Sequence, residues 1–307
     1  MNVRLITSFG FAVLRLSTPL VFAALSAAIC EKAGLFNMAA ESMMLWGALI
    51  GVIVSGATHS ALVGFLAAMG AGAVTGMLIW VATVKGKADL MLAQIAINLA
   101  SSGGTIFLLF ALTGEKSNSA VAIKSLALPK VNIPGISAIP VIGKILSGQN
   151  ILTYGAIVAA IALNIFIFRS KTGHHIRAVG ENPHAAESVG ISVPKIYFLA
   201  WTISGVLGGI GGAFMSMGYL TSFTKDMVAG RGYIGLCASS MVGGSPIGAM
   251  FCALIFGVAD AVSNQLQLTN APADLVLMMP YIVTIVVLVF LSVIKFGRAN
   301  RKAKARS

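Results

Sequence analysis

The sequence predicts an all-α fold, a polytopic transmembrane helix bundle of about 8–10 spans with broken or half helices among them. Three observations predict it. Hydrophobic residues make up 57% of the 307 residues and charged residues 10%, far from the composition of a soluble domain. Several apolar runs approach or reach the ~20 residues of helix needed to cross a bilayer. The polar residues gather in a few segments between those runs, above all Arg169–Lys195.

In chain order the runs are Leu16–Ile29, Met43–Ala57, Ala61–Val84, Leu90–Leu112, Ile151–Phe168, Ile196–Met217, Ile247–Ala261 and Leu275–Ile294. The first and seventh are short for a full crossing. No cleavage site follows the first run, which ends in Cys-Glu-Lys-Ala-Gly, so no removable signal peptide is expected. Cys30, Cys237 and Cys252 lie in or beside apolar runs without metal-ligand spacing and read as small core residues. The chain reads as one membrane domain, residues 1–307.

Charge placement orients the runs. The net charge is +12, and six cations crowd Lys295–Arg306 without an acid. Lys85 and Lys87 mark a short loop. Short cationic segments beside spans stay in the cytoplasm, which places the 85–88 loop, the 169–195 loop and the 295–307 tail inside. Basic residues so placed describe membrane orientation, not nucleic-acid binding. Leu90–Leu112 then leaves the cytoplasm, residues 113–150 form an external loop, and Ile151–Phe168 returns. The four lysines of that loop count little, because long loops translocate regardless of charge. Returning the tail to the inside requires Tyr233–Val242 and Ile247–Ala261 to be separate passes or half-passes. Gly243-Gly244-Ser245-Pro246 breaks the helix between them. The side of the N-terminus stays open, since Asn2–Arg15 carries cations and Glu31–Asn37 gives no direction.

Pro129, Pro134 and Pro140 preclude a long helix in the external loop. Short pieces on the outer surface are expected there, either a cover over the bundle or a landing surface for an external partner.

The polar island contains a short helix with complete start and stop signals. Asn182 caps it, Pro183 suits its first turn, His184–Val189 carries it, and Gly190 ends it in the left-handed conformation. So short a helix must be held against something. Ala185 and Ala186 keep its surface low enough for another protein to approach, with Glu187 at the rim. Such a helix on a membrane protein suits docking to a soluble partner.

Motifs for chemistry are absent. No GxxxxGK[ST] phosphate loop occurs, and no nucleophile, paired-carboxylate or metal-ligand arrangement has a supporting context. His174-His175 are adjacent on the polar island with no further ligand near, so neither a metal site nor a catalytic residue is expected. Ser204, Gly208, Gly212 and Ser216 repeat every four residues, a smooth helix face for close packing.

Polar side chains within spans are costly in lipid and so point to function. Gln94, Asn98, Ser101, Ser102 and Thr105 share one face of a helix, which reads either as inter-helix hydrogen bonding or as the wall of a pathway for a polar solute. Asn37 and Glu41 fall one turn apart at the start of a span, where Glu41 can also favour the positive helix N-terminus. Asp260 is another acid, near the end of a span. Gly34-Leu35-Phe36-Asn37 precedes a helix with GALIG at 47–51, and Gly230-Arg231-Gly232-Tyr233 precedes one with a similarly small-residue break, GGSPIG at 243–248, an echo of the repeats of transporters.

Three ordered motifs carry a family resemblance over residues 16 to 294. TGHHIRAVGENPHAAESVGISVPKIYFLAWTISGVLGGIGGAFMS resembles the cytoplasmic coupling region and following helix of ATP-binding-cassette importer permeases. The branch is that of nucleoside, simple-sugar and branched-chain amino-acid permeases. KAGLFNMAAESMMLWGAL resembles that family's G-x-x-N-x-x-x-E-G element, with Ser42 where the last glycine is usual, and MVAGRGYIGLCASSMVGGSPIGA resembles its late GRGY element. RAVGENPHAAESVGI and FGVADAV look most like nucleoside or simple-sugar permeases.

The resemblance implies a second permease subunit, two cytoplasmic ATPase subunits that bind ATP and Mg, an extracytoplasmic solute-binding protein, and a bacterial inner membrane. It implies no cofactor in this chain. Asn182, Pro183, Ala185, Ala186, Glu187 and Gly190 would then couple ATPase motion to the spans. Rival expectations are a secondary transporter using Glu41 and Asp260, a channel or structural subunit without a coupling helix, or an importer of branched-chain amino acids or riboflavin.

Overall fold

The computed structural model describes residues 3–123, 125–132 and 142–267, with residues 282 and 289. The expected span Leu275–Ile294, the tail 295–307 and part of the external loop lie outside the described residues. Among those described, seven helices are long and apolar enough to cross a membrane. They are α1 (Val3–Lys32), α2 (Ala40–Thr58), α3 (Ala61–Trp80, extended by a π turn, Val81–Lys85), α4 (Leu90–Thr113), α6 (Ile151–Arg169), α9 (Val193–Ala213, extended by a π turn, Phe214–Tyr219) and α11 (Pro246–Gln267). α5 (Ile142–Leu146), α7 (Lys171–Glu181), α8 (Pro183–Ser188) and α10 (Arg231–Met241) are shorter. Two-residue strands β1 (Lys130–Val131) and β2 (Gln149–Asn150) pair antiparallel, Lys130 opposite Asn150.

All seven runs expected within the described residues are present as helices. The first and seventh are longer than their apolar runs: polar Thr7 and Ser263, in the extensions, are buried inside the bundle and need no exclusion from helix. Beside Pro19, which lacks an amide hydrogen, the Ser17 and Thr18 hydroxyls donate to the carbonyls of Val13 and Leu14.

The helices divide into a centre and a rim. In α1, 83% of the apolar stretch is buried; in α4 only 17% is. α1 lies against α9, α10 and α11, and α9 is sandwiched by α1, α2 and α3. Small residues permit that sandwich. A methyl on Gly72 of α3 would strike the backbone of Gly205 and Gly209 in α9, and one on Gly212 would strike Met44 and Ala48 of α2. Backbones in such contact gain dispersion along the whole crossing, which substitutes in lipid for the missing hydrophobic drive. Along the predicted stripe, Ser204 and Ser216 are fully buried, and a methyl on Gly208 would meet Met43 Cβ at 2.7 Å.

Two ends of the bundle follow. At one end, Gln149 Nε2 donates to the carbonyl of Phe11 at 3.0 Å, and the Arg15 guanidinium lies 4.7 Å from the Tyr219 ring centre. The N-terminal part of α1 therefore sits with the 115–132 segment. At the other end, Gly34 meets Gly180 of α7, so the end of α1 joins the α7–α8 face. The start of α1 therefore lies at the end of the bundle opposite α7 and α8.

Candidate functional site: two helix N-termini inside the bundle

Two segments turn back into the bundle and start helices within it. Residues 33–39 descend from the end of α1 in non-helical form and lead into α2. Asn37 is fully buried; its Nδ2 donates to Ser204 Oγ at 2.8 Å and Ser26 Oγ at 3.3 Å, and its Oδ1 accepts from Ala39 N at 3.0 Å. Ser204 lies about 16 Å along α9 from Val193, at 1.5 Å per residue, in a continuous helix of 27 residues. Asn37 thus sits near mid-depth, ahead of α2 and not within it. The expected one-turn spacing from Glu41 is replaced by a loop, because the Asn37 side chain serves three-way bonding that a helical position would prevent.

The second segment, 220–230, leads back from the end of α9. It is tied by Ser119 N to Phe223 O at 2.9 Å and Phe223 N to Ser119 Oγ at 2.8 Å. Thr221, Asp226, Ala229 and Gly230 all have positive φ. α10 then runs beside α1, where Gly235 abuts Ala23, and ends at Gly243 and Gly244, both at positive φ. The predicted Gly-Gly-Ser-Pro break and the half-pass before it are both present. Irregular backbone at this depth is tolerated only when protein satisfies it.

Glu41 joins the two segments. Its Oε1 accepts from Gly230 N and its Oε2 from Gly232 N, each at 2.8 Å. One carboxylate thus lies in the first turn of α2 and caps α10, and both helix N-termini favour its charge. Gly232 is held so near that a methyl there would strike the Glu41 backbone.

The polar face of α4 divides. Gln94 is fully buried: Oε1 accepts from Met38 N at 2.5 Å and Ala39 N at 3.1 Å, while Nε2 donates to Phe36 O at 2.8 Å and Leu90 O at 3.1 Å. Ser101 accepts from Trp46 Nε1 at 2.9 Å, and Thr105 donates to Ser101 O at 2.7 Å. These three side chains are buried, Ser101 beside a cavity between α2, α3 and α4, so the five residues do not form the one continuous exposed wall that was expected. Periodicity aligns them, but α2 and the 36–39 segment cover them. Asn98 and Ser102 stay half-buried at the edge. Asn98 Nδ2 donates to Met38 O and Tyr233 Oη, each at 3.0 Å, and Oδ1 has no donor among the described residues. Ser102 donates to Asp226 Oδ1 at 3.2 Å.

Tyr233 and Asp226 are exposed beside them, and Arg231 turns its guanidinium onto the carbonyls of Val228, 3.2 Å, and Met227, 3.4 Å. Sequence reasoning assigned no site role to these three. Their signal was present, as two charges and a phenol beside a glycine-rich break between spans. Asp260 of α11 is buried within electrostatic reach of Arg231.

At the far face, Ser170 starts α7 by accepting from Gly173 N at 2.9 Å. His174 and His175 therefore lie on a helix and not in a loop, and His174 Nδ1 bonds Ser170 O at 2.7 Å. No cluster of metal ligands occurs among the described residues. Asn182 ends α7 and caps α8, Oδ1 accepting from Ala185 N at 3.1 Å, and Pro183 opens α8. Gly190, at φ +87°, allows Ile191 N to reach Ala186 O at 3.0 Å. The helix ends at Ser188, one residue earlier than expected. Ala186 is 4% exposed, packed into the bundle's own core, so only Ala185 of the alanine pair, with Glu187, faces outward. A helix too short to stand alone uses Ala186 as its anchor. Val189, 77% exposed, is an apolar side chain at this surface that the sequence reading placed in the helix without a contact role.

The sequence is similar to those of known proteins. Residues 10–288 match the family model described as branched-chain amino acid transport system / permease component. The guanosine ABC transporter permease protein NupQ of Bacillus subtilis is 34% identical over 289 residues, 90% of this chain and 89% of that one. The nucleoside ABC transporter permease protein NupC of Lactococcus lactis is 34% identical over 290 residues, 89% of this chain and 88% of that one. A glucose ABC transporter permease protein of Haloferax volcanii is 27% identical, across 97% of this chain and 80% of its own. No solved structure matches. With seven apolar helices, half-helix N-termini inside the bundle and a matching sequence across nine-tenths of its length, this multi-pass membrane protein belongs to the branched-chain amino acid transport system / permease component family.

Proposed function

We propose that this chain is the membrane permease of an ATP-driven importer for a neutral, hydroxyl-rich solute, a nucleoside ahead of a simple sugar. The observation that carries the reading is 34% identity to a guanosine and a nucleoside permease over nine-tenths of the chain. The exposed edge of α4, with Asn98 and Ser102, and the adjoining Tyr233 and Asp226 form the pathway wall, facing a second permease subunit. Amide, hydroxyl and phenol groups there can exchange hydrogen bonds with a nucleoside or sugar passing from water.

The α7–α8 face is cytoplasmic, consistent with its basic residues and those of the tail. Two partner ATPase subunits bind ATP and magnesium and seat on α8 through Ala185, Glu187 and Val189. Closure of the ATPase pair moves α8, and Gly34 against Gly180 links α7 to the segment carrying Asn37. ATP drives the cycle only through its preference for one state of the ATPase pair. The solute arrives at the opposite face from an extracytoplasmic binding protein near residues 115–132.

Uptake by the complex reconstituted in vesicles tests the reading. Guanosine or adenosine should compete with the transported label better than leucine, with ATP and without an ion gradient. Uptake that follows an ion gradient and ignores ATP overturns it in favour of a secondary transporter. Competition by leucine alone overturns the solute class.

A further inference from the structure

A helix that begins inside a membrane bundle offers a positive end and unpaired amide hydrogens, which can hold the anionic group of a solute. Two such ends converge here, those of α2 and α10, and the end of α10 is already filled from within. The Glu41 carboxylate takes the Gly230 and Gly232 amides, and the close approach of Gly232 to Glu41 leaves no room for another group between them. The remaining charges nearby do not restore an anion site. Asp226 is exposed on the same wall, held by Ser102. The Arg231 guanidinium is engaged with two backbone carbonyls, and buried Asp260 lies within its electrostatic reach. Three carboxylates, one guanidinium and two helix ends leave the junction without surplus positive charge.

We propose that Glu41 is a built-in anion which, together with Asp226, makes the pathway refuse anionic solutes: neutral nucleosides or sugars pass and their phosphate esters do not. The inference rests on the α4–α10 edge being the pathway proposed above. Glu41 acts as a specificity-determining residue by filling the position an outside anion would need. Asp226 acts by repelling one in transit, a field effect focused by the low-dielectric walls.

The test compares two thiol reagents of similar size and opposite charge, sulfonatoethyl and trimethylammonioethyl methanethiosulfonate. They are applied to the vesicle-reconstituted complex with Cys30, Cys237 and Cys252 replaced and one new thiol introduced, Ser102→Cys or Tyr233→Cys. Relative to their rates with a free thiol, the cation should react about tenfold faster than the anion. Glu41→Gln and Asp226→Asn should each reduce that preference about threefold. A cation-to-anion ratio near one, or a ratio unmoved by either substitution, overturns the inference. Should Glu41→Gln fail to assemble, Asp226→Asn decides alone, because Asp226 is exposed and caps no helix. Reaction without charge preference removes only this inference; no reaction with either reagent removes the pathway reading as well.

Discussion

Helices α9 and α4 carry stripes of almost the same geometry and put them to opposite use. Ser204, Gly208, Gly212 and Ser216 on α9 face α1 and α2 and are closed over completely. Gln94, Asn98, Ser101, Ser102 and Thr105 on α4 are split: three are buried against α2 and the 36–39 segment, and two remain at an open edge. The same period therefore says which side chains share a face and nothing about what covers it. Helix α9 is central because small residues let backbones touch on several sides. α4 is peripheral because Leu92, Leu99 and Phe107, each about two-thirds exposed or more, suit lipid or a partner subunit.

That contrast can be broken most severely at the α3–α9 seam. Gly72→Leu should prevent stable folding, since it must push apart backbones already in contact. Its cost should exceed the about 1–3 kcal/mol of ordinary overpacking. Leu99→Ala on the open face of α4 should leave the melting temperature unchanged. Thermal unfolding of both purified variants checks the pair, and equal losses would mean that α9 is no more central than α4.

The distinction between inward and outward residues also applies at α8. Ala186→Asp buries a carboxylate and should loosen α8 from α7 and α9, lowering thermal stability and abolishing uptake together. Ala185→Asp, on the outer surface, should abolish most ATP-coupled uptake with stability intact. Equal stability losses at the two positions would contradict the assignment of Ala186 as the anchor.

A smaller effect is expected at Asn37. Asn37→Ala deprives Ser204, Ser26 and Ala39 N of a partner, although the two serines still bond each other. Destabilisation of about 1–3 kcal/mol is expected, read from denaturation of the purified protein. A null result would show that the 33–39 segment is held by Gln94 instead.

The mildest test leaves the fold alone. Single cysteines at Asn98 and Ser102 should react with small aqueous thiol reagents in the assembled complex, and those at Gln94, Ser101 and Thr105 should react at least several-fold more slowly. Uniform labelling along the five would restore the undivided polar face that the sequence suggested.

Much of the fold was legible because lipid imposes simple demands. Apolar length located all seven described spans, and Gly243–Pro246 announced the break before α11. Asn182, Pro183 and Gly190 marked α8, because caps and breakers act within a few residues of themselves. Helix α7 as a whole was hidden by the polar composition of residues 169–181, although Ser170 was an available cap. The site was less legible. Glu41 was noticed for its charge, and helix capping was among its suggested roles, but the helix whose amides it takes begins at residue 230.

By itself, then, the sequence determined the described spans, the break before α11, helix α8 and the family, since each depends on nearby residues or on a pattern along the chain. Only the tertiary structure decided that Ala186 points inward, that Gln94 clamps a loop, and that Glu41 caps α10. Those facts depend on segments some 60 to 190 residues apart meeting in space, and on burial, which a helical period aligns but cannot assign.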